Sequence, residues 1–281
     1  NEGFFFADTG DGKKFGKKTW VNGILASATL ANDRLVALYT DKEQKDYFYS
    51  VYMRKTLERV WSGEISDPDL ELTHPLHLAS LNDQVFVFAT DKSGALRAAR
   101  FNDEWALAPL GADSPETPHL VGAAVLETQA DKDEKTETSV APPLLMTSVV
   151  VDGVLNVFWR VEREEGRGTK GEVRWTTFDG THFGKLGHFP NDLAAMAAGT
   201  DPLAPPGTQL RLYGVPVRAK DSTIRVFQPE AGNFKEVDPI TYTREGLTGA
   251  AGVTHLATGI ATGKEFLLAQ IGGVIRYTVR E

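Results

Sequence analysis

Three of the chain's six histidines stand in one sequence context. His77, His119 and His255 each precede a leucine that opens a run of small residues: HLASL, HLVGAAVL and HLATGIA. Asp192 stands the same way in DLAAMAAG, and a fifth run, GILASATL, begins at Gly23. If the runs are repeats set around an axis, the four polar side chains converge at one mouth of it. Three imidazoles and a carboxylate suit a divalent transition metal (Zn, Mn, Fe or Cu), with a position left for water or substrate. An ion held there would activate the water or polarise a substrate oxygen. The same residue types also serve as strand-start residues bonded to neighbouring backbone, and the pattern alone leaves both roles open.

Other chemistries find less support. Paired carboxylates on converging strands would point to glycoside cleavage, but only Asp192 heads a small-residue run. Asp8, Asp11, Asp33, Asp83 and Asp152 fall at turns, where Asp bonds its own backbone. ADTGDG, from Ala7, is an oxygen-rich turn without the spacing of an EF-hand loop. Phosphate-binding glycine loops, the zincin motif and the nucleophile elbow are all missing. Trp20, Trp61 and Trp105 are candidate platforms for sugar rings, against the ordinary role of packing. The lysines of KKFGKK read as protection of a strand edge.

The elements that would position these residues are strands. Runs of Ala, Gly and Ser have poor β-propensity, so close packing must be the reason for them. In a propeller the innermost strands of wedge-shaped blades crowd an axis, and only small side chains fit there. ANDRLVALYTDK, from Ala31, matches LNDQVFVFATDK, from Leu81, at an offset of 50 residues. The expectation is an all-β fold, a single five-bladed β-propeller over residues 1–281 with about four antiparallel strands per blade. Its blades span about 23–65, 76–111, 119–189, 192–240 and 253–281. The N-terminal 1–20 would add to the last, with a strand near Phe15 to Trp20 closing the ring. Blade three carries one apolar run too many and a charged stretch, TQADKDEKTETSVAPP. Asp152-Gly153 marks a hairpin within it. TIRVFQPEAGNF and ALRAARFNDEW resemble the strand–turn–strand units of β-propellers in general; the WD dipeptide and a clear Asp-box are missing.

Composition narrows the partners. A net charge of −8 argues against nucleic acid and anionic membranes as main partners. No apolar run approaches the ~18 residues of a membrane span. With no cysteine there is no disulfide and no thiolate chemistry. A first residue other than Met suggests a removed leader or a trimmed chain, which favours an exported protein. The functional expectation is a binding module that presents a loop face to a protein or glycan. The alternatives are a protein with a metal at His77, His119, Asp192 and His255, and a glycan-processing propeller.

Overall fold

The computed structural model describes residues 3–7, 18–41, 46–65, 76–90, 96–109, 141–165, 168–189, 191–217, 223–230, 233–241, 252–261, 264–271 and 274–280. The fold is all-β, a β-propeller with five blades of three or four antiparallel strands, and no helix occurs among the described residues. The chain divides into two compact units, Asn1–Ala124 and Val125–Glu281.

The first unit opens with β1 (Gly3–Ala7) and β2 (Lys18–Asn22), which pair with each other. Blade one follows as β3 (Ile24–Ala31), β4 (Arg34–Thr40), β5 (Tyr47–Met53) and β6 (Arg59–Ile65). Blade two is β7 (His77–Leu81), β8 (Gln84–Thr90), β9 (Leu96–Phe101) and β10 (Leu107–Pro109). Each sheet is a meander in chain order. The inner strands β3 and β7 lie against each other, and Leu38, Val51, Val87 and Ala99 fill the core between the blades.

The second unit holds blade three as β11 (Ala141–Val151), β12 (Val154–Glu165), β13 (Gly168–Phe178) and β14 (Gly187–Phe189). Blade four is β15 (Leu193–Thr200), β16 (Leu210–Pro216), β17 (Thr223–Glu230) and β18 (Asn233–Thr241). Blade five is β19 (Val253–Ala261), β20 (Lys264–Ile271) and β21 (Val274–Arg280). Among the described residues β2 pairs with β1, and blade five has three strands; Phe15 lies outside the described residues. Phe158 and Trp175 meet Phe234 edge-on at 5.6 and 5.3 Å, and Phe189 meets Phe227 at 4.6 Å. The large rings therefore pack blade against blade, where the wedges are wide.

In blade three the first described strand is β11, which lies beside the inner strand β15 of blade four. HLVGAAVL lies outside the described residues, His119 with it. The Asp152-Gly153 hairpin stands as expected, with both residues in the left-handed region (φ 51° and 76°) and Val151 facing Val154.

Hydroxyls in the inner strands join one blade to the next. Ser27 Oγ accepts the Leu78 N–H at 3.0 Å, and Thr147 Oγ1 accepts the Ala198 N–H at 3.0 Å. From the other side the Thr258 hydroxyl donates to the Ala198 carbonyl. Where sheets meet without a shared ladder, these short side chains replace the missing backbone partner.

Candidate functional site

The three Asn-Asp pairs of the first unit gather around one cleft. Asn32-Asp33 joins β3 to β4, and Asn82-Asp83 joins β7 to β8, each as a two-residue hairpin turn. Such turns need left-handed backbone, which Asn and Asp tolerate. Asn32, Asn82 and Asp83 adopt it with φ of 53°, 49° and 63°. The third pair follows β9: Asn102 Oδ1 accepts the N–H groups of Glu104 and Ala106 at 3.0 and 2.9 Å. That side-chain turn carries Trp105 into the left-handed region at φ 59°, an unusual place for a bulky residue.

Neighbouring blades hold the Trp105 turn in place. The Tyr49 hydroxyl donates to the Trp105 carbonyl at 2.7 Å and accepts the Trp61 indole N–H at 3.3 Å. Tyr49 rests on Phe101 with ring centroids 4.8 Å apart, and Phe101 reaches Trp105 at 6.1 Å. The resulting cleft of about 500 Å³ is walled by Asn32, Asp33, Arg34, Asn82, Asp83 and Gln84, with Phe101 and Trp105 on one side.

The polar groups are set by one another. With its amide nitrogen towards Asp83, Asn32 donates to both carboxylate oxygens at 3.0 and 3.1 Å. Arg34 Nη1 lies 2.7 Å from Asp33 Oδ1 and also donates to Met53 Sδ. The Asp33 carbonyl accepts the Arg54 N–H at 2.7 Å. Amides, carboxylates and a guanidinium beside an apolar ring form a wall that offers both donors and acceptors.

The residues singled out by the small-residue runs have other surroundings. His77 lies at the start of β7, opposite Phe88, with Nδ1 3.4 Å from Ser27 Oγ. Burial lowers its pKa from 6.5 to about 4. A histidine whose folded pKa lies below its unfolded value stabilises the fold above pH 6.5, and that contribution is lost as pH falls from 6.5 towards 4. The expected effect is a loss of about 2 kcal/mol over that window, since the side chain keeps partial exposure. Thermal unfolding of wild type and His77→Gln between pH 7 and 4 checks it, with the variant losing the histidine's share of the slope.

Asp192 accepts from Arg160 Nε at 2.7 Å. Its Cγ and Oδ1 occupy the space where a side chain on Gly171 would stand. His255 is exposed, with Nδ1 3.2 Å from Thr254 Oγ1. Backbone register separates these two. Both β15 and β19 shift register one step after their start, between Leu193 and Ala195 and between Val253 and His255. Leu193 thus matches Val253, and His255 matches Ala195 rather than Asp192. Aligning on leucine misses the bulge. Among the described residues, no three His, Asp or Glu side chains gather as metal ligands. Of the tryptophans, Trp20 is 51% exposed on β2 and donates to Asn22, Trp61 is 45% exposed on β6, and Trp105 is half-buried at the cleft.

No family model matches the chain, and no curated protein sequence matches it. Among solved structures it is similar to the N-terminal domain of Nup159, at 11% identity and a TM-score of 0.49 over 97% of this chain and 70% of that one. It is also similar to an α-L-arabinofuranosidase from Clostridium thermocellum, at 12% identity and a TM-score of 0.45 over 88% and 82% of the two chains. The β-propeller domain of the Trilobed protease from Pyrococcus furiosus gives 11% identity and a TM-score of 0.42 over 94% and 69%. Likeness at this level carries no activity, substrate or partner to this chain.

Proposed function

We propose that this chain is a binding module that takes a glycan in the cleft between the Asn-Asp turns of blades one and two. The observation that carries this reading is the make-up of the wall: Asn32, Asp33, Arg34, Asn82 and Asp83 beside Trp105. Sugar hydroxyls donate and accept at once, which suits side-chain amides and carboxylates, while the apolar face of the ring suits an aromatic. The turns that hold these groups have fixed backbones, so little ordering is required on binding. A protein partner would call for a larger and less polar central patch.

A glycan array followed by calorimetry on the best ligand tests the proposal. Asp83→Ala removes a charge-assisted acceptor worth about 1.5–3 kcal/mol, so affinity is expected to fall about ten- to a hundredfold. The His255→Ala variant, remote in sequence and in the other unit, should bind like wild type. An array on which wild type retains no glycan would overturn the reading, as would full affinity in Asp83→Ala.

A further inference from the structure

Trp61 offers an aromatic surface next to the cleft that the proposed binding mode leaves unused. It lies near the start of β6, at the end of blade one that carries the Asn32-Asp33 turn and the Arg54–Glu58 turn. Its indole is 45% exposed, and Arg59, Val60 and Ser62 line a shallow depression beside it. The ring is nevertheless held in orientation, because its N–H donates to the Tyr49 hydroxyl at 3.3 Å. That hydroxyl in turn donates to the Trp105 carbonyl at 2.7 Å. One tyrosine oxygen therefore ties the open aromatic to the turn that walls the cleft. Gly63, facing Tyr49 across the ladder, leaves the room its hydroxyl occupies.

Resting on the glycan reading of the cleft, we infer that Trp61 is a second subsite and that the ligand is an oligosaccharide of at least two units. One sugar sits among the Asn-Asp turns, and the next lies on the Trp61 ring with Arg59 reaching its hydroxyls. The Tyr49 hydroxyl ties the Trp61 ring to the backbone of the turn that walls the cleft, so a chain seated in the cleft can run on to that ring. Orientation is also provided in advance: a ring pinned by its N–H edge presents its face without losing rotamer freedom when the ligand arrives. Continuity with the cleft, through Tyr49, is what selects a carbohydrate over other occupants of the Trp61 surface.

The experiment is calorimetry with the monosaccharide, disaccharide and trisaccharide of the linkage that the array selects, on wild type, Trp61→Ala and Asp83→Ala. Wild type should bind the disaccharide about tenfold more tightly than the monosaccharide, which is about 1.4 kcal/mol and the order expected for covering one ring face. Trp61→Ala should bring the disaccharide down to the monosaccharide's affinity and leave the monosaccharide unchanged. Asp83→Ala should weaken all three. Iodide quenching of tryptophan fluorescence in the wild type should fall further with the disaccharide than with the monosaccharide, and Trp61→Ala should remove the difference. Equal affinity for one unit and two, or a Trp61→Ala protein that keeps the difference, overturns the second subsite while the cleft reading stands. Failure to bind any sugar overturns both.

Discussion

Replacing Gly199 by alanine should cost about 3–5 kcal/mol of folding stability. An added methyl would overlap the Glu265 carboxylate and stand 3.1 Å from both Thr258 Cγ2 and Tyr213 Cε2. These groups are hemmed in by their neighbours. Glu265 and Tyr213 are fully buried and bonded to each other, and the Thr258 hydroxyl is committed to the Ala198 carbonyl. Overpacking of this kind costs about 1–3 kcal/mol. Pushing the carboxyl group off its tyrosine leaves buried polar groups unsatisfied, about a further 1–3 kcal/mol. Urea denaturation measures the loss. A cycle with Glu265→Ala should show strong coupling, because removing the obstructed carboxylate makes room for the methyl. A Gly199→Ala protein within about 0.5 kcal/mol of wild type would mean that the carboxylate has space to move, against what the packing requires.

The second large loss is expected on truncating Arg160. Its guanidinium is 7% exposed and its Nε meets Asp192 at 2.7 Å, while the Asp192 side chain is 30% exposed. Removing one partner of a buried ion pair costs about 3–5 kcal/mol because the other charge is left unmatched. Partial exposure of Asp192 places Arg160→Ala near the low end, about 3 kcal/mol. The informative comparison is Arg160→Ala with Arg160→Met: both strand the Asp192 carboxylate, and only the second keeps most of the buried stem. Equal losses would show that the charge matters, and a near-wild-type Arg160→Met would show that the arginine matters for its packing instead.

Much of the fold is legible before any coordinates. The small-residue runs from Gly23, His77, Asp192 and His255 fall on the inner strands of four blades, and the Asn-Asp repeat falls on the turns that leave two of them. Blade three differs: its strand beside β15 is β11, with LLMTSVVV, and the two meet through Thr147 and larger apolar residues. Small residues are therefore not required of an inner strand. Ser27 and Thr258 stand within small-residue runs, yet their hydroxyls, like that of Thr147, bond a neighbouring blade's backbone. A Ser or Thr at the same depth of several small-residue runs was the available signal.

The histidine ring is less legible. Aligning the runs on leucine sets His255 beside Asp192, whereas the bulge that β15 and β19 share sets it beside Ala195, and a bulge leaves no mark in composition. The cleft was hidden for a different reason. Asp33 and Asp83 lie 50 residues apart, and each is fully explained as a turn residue when read alone. Only the packing of β3 beside β7 makes the two turns into facing walls.

That origin has an evolutionary consequence. A cleft walled by two copies of one turn arises as soon as a blade is duplicated in tandem, before any residue has been selected for binding. The ancestor of such a pair would have been a symmetric receptor with equal walls. The present walls have already diverged: Arg34 follows one Asn-Asp pair and Gln84 the other, and Asn32 has turned to hold Asp83. Exchanging Arg34 and Gln84 would therefore swap the one difference in charge between the two walls.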